Sequence, residues 1–537
     1  MKNRRGIMFI FIVILIAAMT TVFPICGLSG QNSDVPRSAE IRIADSRGNW
    51  GYPGPFLHYP RGPGYVRMSW IFDTLVWKGC DGYVPALADS WSYDADRTAF
   101  VFHLNPDAVW HDGRPVTARD IAFTLEFFKK HPYHWITIDD VGRVETPGDR
   151  RVVIYLKRPF SPFIPNVAGT MPILPEHVWQ SIDDPESCRD SRVFIGSGPY
   201  RFVDFNETQG TYLYEAFDDY YRGRPRAERL IYVHSGHPLA SLITGHVDLA
   251  MIQPEAVETL RREGFAVIKD EREWVRKLMI NHRKHPFSDK RFRQALAWAI
   301  DQREITEKAH RGFGAPASPG LLSPDHPMFN PDISHYSCNT DRARSLIEDM
   351  GYRKNAKGWY HLNGRPLNVK LLASNITAAG QRILDRDGDV IRMQLERVGI
   401  QVDLICLEQT TADDRIKNWR FDLALSGHGA LTGDPLILNE MISTDRGGGS
   451  VNSARFDGDR ELNRLLEAQV REMDEDRRTD LVHRIQEIHA ELVPSIPLYY
   501  PDSFAAFHPG KNIVWFYTKG GIGKGIPIPQ NKMSLMP

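Results

Sequence analysis

Cysteine is scarce in this chain, with five residues in 537, at positions 26, 80, 188, 338 and 406. None stands in a C-x-x-C pair, which argues against a structural zinc site. Sequence alone does not choose a disulfide pairing, and isolated small buried residues are an equal reading. An excess of one charge is also lacking: 66 Lys and Arg face 67 Asp and Glu. Nothing in that balance points to a nucleic-acid partner. There is no G-x-S-x-G, no H-E-x-x-H, no P-loop and no dinucleotide fingerprint. With 19 His and 67 acids, chance clusters are expected, so neither an enzyme nor a cofactor is indicated. Beyond residue 30 no second long apolar run follows.

The first 30 residues differ from the rest. Lys2, Arg4 and Arg5 precede a run without charge from Ile7 to Ile25. This is the pattern of an export signal, and it is nearly long enough to span a bilayer. Residues 1–30 are therefore read as a signal peptide or an N-terminal membrane anchor. Phe-Pro-Ile before Cys26 is a poor match to the small residue expected ahead of a lipidated cysteine. Either way the body is expected outside the cytoplasm, in the periplasm or on the outer face of the cytoplasmic membrane.

What remains is long enough for several cores. Strand patterns such as "TAFVFHL" (98–104) and "RVVIYLK" (151–157) interleave with helical ones from end to end, which indicates a mixed α/β chain. From 289 to 308, Phe292, Leu296, Ala299 and Ile300 share one helical face. From 389 to 398 a helix is closed by Gly399. From 460 to 492 two amphipathic helices run, broken near 473–477. The stretch "AVWHDGRPVTARDIAFTLEF" (108–127) gathers chemistry-bearing residues, yet each has a structural task. Asp112-Gly113 is a turn, Thr117 is an N-cap with Asp120 three residues on, and Pro132 ends the helix. His111 has no partner at metal-ligand spacing.

The segment "WHDGRPVTARDIAFTLE" resembles the characteristic stretch of the family 5 extracellular solute-binding proteins of ABC importers, the oligopeptide, dipeptide and nickel binders. So do "DTLVWKGCDGYVPALADSWSYDADRTAFVFHL", "GSGPYRF", "PFSDKRFRQALAWAID", "QLERVGIQVDL" and "IQEIHAELVPSIPLYY", all in the family's order. The resemblance implies a periplasmic-binding-protein type II-like α/β fold with two hinged lobes, an extra domain and a discontinuous first lobe. Mapped here, 38–65, 186–269 and 495–537 would form lobe I, 66–185 domain II and 270–494 lobe III. It further implies a monomeric extracytoplasmic component that traps a peptide, another small molecule or a nickel chelate between its lobes and delivers it to the ABC permease. A membrane-tethered sensor or a peptide-capturing chaperone on the same fold is the alternative, and an exported enzyme stands behind both.

Five residues are candidates for ligand contact. In peptide-binding relatives an Asp in the loop after an "FD-x-A" strand receives the ligand's amine. Here "FDLALSGHGALTGDP" puts Leu431 at that place, which removes the acceptor a buried ammonium needs. His428 stands between Gly427 and Gly429, where bare backbone would let a ligand approach, and it is the one candidate metal ligand. Trp135 in "HPYHWITIDDV" resembles the Trp that packs on a nickel chelate in nickel-binding relatives, and ordinary packing is an equal reading. Met171 stands near the place of those relatives' Arg. Trp50 lies in the loop after the first strand, which in this family borders the cleft.

Overall fold

A computed structural model describes residues 37–270, 272–376, 386–447 and 451–537. The N-terminal run of residues 1–30 lies outside the described residues. Among the described residues no helix is long and apolar enough to cross a membrane.

Two large sheets carry the chain. The first has seven strands in the order Ala266–Lys269, Phe504–Phe507, Leu249–Ile252, Ser38–Asp45, Ala227–His234, Thr211–Ala216 and Tyr200–Asn206. Its centre is parallel, because Ser38–Asp45 runs alongside both Ala227–His234 and Leu249–Ile252. The second has six strands in the order Gly314–Pro316, Ser495–Pro501, Val275–Ile280, Leu423–His428, Asn368–Ile376 and Gln401–Glu408. Its central strands, Ser495–Pro501, Val275–Ile280 and Leu423–His428, are buried on both faces along almost their whole length. Successive residues feed opposite cores: Leu278, Leu371 and Leu423 go to one, and Met279, Leu372 and Ala424 to the other.

A four-stranded antiparallel sheet, Ala88–Asp94, Ala99–Leu104, Arg151–Leu156 and Val141–Glu145, is inserted after the helix Gly62–Ser69. Its core is continuous with that of the seven-stranded sheet. Helix Ala118–Lys130 packs on it and starts as the sequence suggests. The Asp120 carboxylate accepts from both the backbone N–H (2.8 Å) and the hydroxyl (3.0 Å) of Thr117. His111 is a clasp rather than a ligand. Its Nε2 meets the Gly198 carbonyl at 2.9 Å, and its Nδ1 accepts the Gly196 N–H at 3.3 Å.

Two expectations need correction. The helix expected over 289–308 is two helices, Lys290–Ala299 and Gln302–His310. Ile300 is extended, and the Asp301 carboxylate accepts from the N–H groups of Arg303 and Glu304, so a second helix is capped where one apolar face had seemed continuous. Residues 495–501, expected with the first lobe, pair with Val275–Ile280 in the second sheet. The return to the first sheet comes at Asp502 and Ser503, before Phe504–Phe507. This connection lies beside the outgoing one at 270–274: Asp270 N–H donates to Ser503 O at 2.9 Å, and Lys269 pairs with Asp502 at 2.7 Å. Two adjacent connecting segments of this kind are the geometry of a hinge.

Candidate functional site

The two sheet bodies face each other and are held together by ion pairs. Arg61 meets Asp413 at 3.3 Å, Arg311 meets Glu255 at 2.8 Å, and Lys524 meets Glu440 at 2.6 Å. The inserted sheet domain joins in, with Arg158 to Glu467 at 3.2 Å and the Ser161 N–H donating to Val470 O at 3.0 Å.

Between these contacts lies a small cavity of about 30 Å³, room for a water or two. Its wall combines Lys78 and Asn166 from the inserted region, Asp434 and Glu440 from the six-stranded body, and Gly520 to Gly525 from the C-terminal segment. Behind the wall residues Lys78 and Gly520 lies a buried polar network. The Glu273 carboxylate accepts from Thr432 N–H (3.1 Å), Thr432 hydroxyl and Gly520 N–H (2.6 Å). Lys78 Nζ donates to Gly520 O at 2.9 Å. Burial raises the Glu273 pKa and lowers that of Lys78, so both are drawn towards their neutral forms. Gly525 needs to be glycine: its φ is +93°, and a Cβ there would stand 2.0 Å from Ala430 Cβ.

Leu431 is fully buried in the apolar core with Val275 and Met279 and offers nothing to a ligand. Two acids stand at this loop, and both are occupied: Glu273 by Thr432 and Gly520, and Asp434 by Arg478. The space beside Gly427 is not open to a ligand as expected. The Trp274 indole fills it, 2.5 Å from where a Cβ would be. Gly429 is less crowded, with Gly525 O, Pro527 and Trp274 at 3.4–3.5 Å, ordinary contact distance from where a Cβ would be. His428 turns Nδ1 to its own neighbour's carbonyl, Gly429 O, at 2.9 Å. Burial, with Lys277 adding to it, pushes its pKa down to about 4. Lys277 is itself buried without a partner among the described residues and is pushed down to about 7. Among the described residues no group of three His, Cys, Asp or Glu could hold a metal ion.

Trp135 lies one ring away from the cavity. Its indole is 5.0 Å from Tyr65, whose ring abuts Gly523 of the cavity wall. Trp50 is farther off, on the first body's surface. Its Nε1 donates to Asp45 at 2.8 Å, and Arg47 lies over its ring at 4.6 Å. Met171 is fully buried in the core of the first body.

Residues 82–450 match the profile of bacterial extracellular solute-binding proteins, family 5 Middle. The chain belongs to this family. Family 5 proteins are extracytoplasmic substrate-binding proteins of ABC importers, and the chain's relatives and fold neighbours are binding proteins rather than enzymes. This family 5 protein is 27% identical over 359 residues to a Brucella ovis relative named for ABC-transporter peptide binding, covering 64% of this chain. It spans 66% of that relative's length. It is 24% identical to heme-binding protein A of Haemophilus influenzae over 82% of this chain and 83% of that one. In fold it matches Campylobacter jejuni NikZ in complex with Ni(L-His), with TM-score 0.77, 20% identity and coverage of 91% and 98% of the two chains. It also matches Bacillus subtilis AppA in complex with a nonapeptide, with TM-score 0.75, 20% identity and coverage of 91% and 97%. The fold is thus that of type II periplasmic binding proteins of family 5.

Lys78, Asn166, Glu273, Glu440 and Lys524 of this family 5 protein escape a reading of the sequence. Only Lys78 leaves a local trace, as a charge inside the strand Val76–Lys78, whose three residues are all buried.

Proposed function

We propose that this protein captures a peptide between its two bodies and hands it to the permease of an ABC importer. The small cavity between the bodies carries this reading, because its wall is assembled from both of them and a ligand would enter as they part. A pool of di- and tripeptides is expected to make the protein more compact in small-angle scattering and to raise its melting temperature, since a ligand of the closed state stabilises by mass action. An unchanged radius at saturating peptide would rule out capture by closure. Loss of the gene is expected to abolish uptake of the same labelled pool. Undiminished uptake would favour the sensor or chaperone alternative.

The nickel-chelate reading is disfavoured by the setting of His428: its Nδ1 is turned to the Gly429 carbonyl, and the charges around it are mixed, with Lys277 and Lys524 opposing a cation and Glu440 favouring one. His428→Ala is therefore expected to leave peptide affinity within threefold, measured by titration calorimetry. A loss above tenfold would restore His428 as a ligand-binding residue.

A further inference from the structure

The inserted sheet domain meets the six-stranded body at the C-terminal end of the helix Arg460–Arg471. This helix serves two cores. Leu462, Leu465 and Leu466 are buried with Val275 and Met279 in the six-stranded body. Val470, one turn beyond Leu466 and fully buried, belongs instead to the cluster of Phe160 and Phe163 in the inserted domain. Side chains four apart share a helical face, so one apolar ridge runs out of one body and into the other.

Polar bonds close around that plug. The carbonyls of a helix's last turn have no partner within the helix. Here the inserted domain takes two of them: the Ser161 hydroxyl donates to Gln469 O at 3.2 Å, and the Ser161 N–H donates to Val470 O at 3.0 Å. Arg471 donates to Pro159 O at 3.1 Å and to the buried Asp140 carboxylate, which Arg158 holds from its own domain at 2.8 Å.

The inserted domain shares one core with the seven-stranded sheet and so travels with the first body. The helix Arg460–Arg471 travels with the second. Their joint therefore stands between the closed form and any parting at the connecting segments. Opening it would put Val470 into water and break a buried ion pair, and both changes favour the closed form.

We infer that the inserted domain is the latch of the closed form, with Val470 as its plug and Asp140 and Arg471 as its clasp, and that this joint is released before the bodies part. The inference rests on the closure used in the peptide-capture reading and not on the ligand.

Hydrogen exchange and small-angle scattering on the full chain without ligand test it, in wild type and in Val470→Ala and Asp140→Asn. Alanine keeps the helix, and asparagine keeps the shape of the acid without its charge. In each variant residues 160–164 and 469–472 are expected to exchange at least tenfold faster, and the radius to rise. The strands Ala99–Leu104 and Val275–Ile280 are expected to keep their protection. Unchanged exchange and radius in both variants would overturn the latch. So would a loss of protection shared with those two strands, because the joint would then belong to folding rather than to closure. Neither readout uses a ligand, so a wild type that binds no peptide pool would overturn peptide capture alone.

Discussion

Lowering the pH from 7 to 5 is expected to remove several kcal/mol of folding stability. His111, His326, His428 and His489 are all pushed down to about 4, in each case chiefly by burial. Hydrogen bonding shows why the ring cannot charge in place. His326 Nδ1 accepts the Met328 N–H at 2.8 Å while Nε2 meets Gly433 O at 2.9 Å. A proton on Nδ1 would set donor against donor, and His111 is held in the same way by Gly196 and Gly198. The unfolded rings take up protons through about 6.5, the folded ones only near 4. The contribution is therefore fully present above pH 6.5 and is lost as pH falls towards 4. At pH 5 this amounts to about 2 kcal/mol per histidine. Glu273, raised by burial, offsets part of the loss, because its folded form holds the proton more tightly and gains stability as pH falls, but the carboxylates held down by cations do not enter this range. Glu304, held down to about 2 chiefly by Arg397, loses its contribution only between about 4.5 and 2. Guanidinium unfolding at the two pH values measures the difference, and coincident midpoints would refute it.

Arg478→Leu is expected to cost about 3–5 kcal/mol, the range for breaking a buried ion pair from one side. Arg478 is 7% exposed, on the helix Glu475–Leu492. Besides Asp434 it donates through Nε to the Gln469 backbone carbonyl at 3.0 Å and side-chain oxygen at 3.1 Å. Gln469 in turn donates to Asn439 at 2.6 Å, and Asn439 to Leu466 O at 2.8 Å. The substitution leaves the Asp434 carboxylate uncompensated at the cavity wall. Adding Asp434→Asn is expected to recover part of the loss, because the unpaired charge is then gone. Denaturant unfolding of the two single variants and the double variant measures the coupling. Strict additivity would show that the pair carries no energy of its own.

Local signals were legible in the sequence and distant ones were not. Thr117 with Asp120, Gly399 at φ +111°, and the break between Arg471 and Glu475 are decided within one turn of chain. The break at Ile300 was hidden because the apolar face continues across it, although Asp301 was a cap in plain view. The site failed for a different reason. Gly427 and Gly429 are places where a side chain is missing, and sequence does not say what fills the space. A ligand was expected, and Trp274, some 150 residues earlier, fills it. Likewise the loss of an acid at Leu431 was readable, but not that Lys78, Asn166 and Lys524 would meet around one cavity.

The strand Phe504–Phe507 lies inside the seven-stranded sheet, between Leu249–Ile252 and Ala266–Lys269. It pairs with Leu249–Ile252 through four residues and with Ala266–Lys269 through four more. A growing chain thus makes every strand of the first sheet but Phe504–Phe507, then the whole six-stranded body, and only afterwards the strand that joins Ala266–Lys269 to the rest. Until then two open edges face each other across a missing position, and the sheet cannot close. Synthesis order therefore delays completion of the first body until nearly all of the polypeptide has been made.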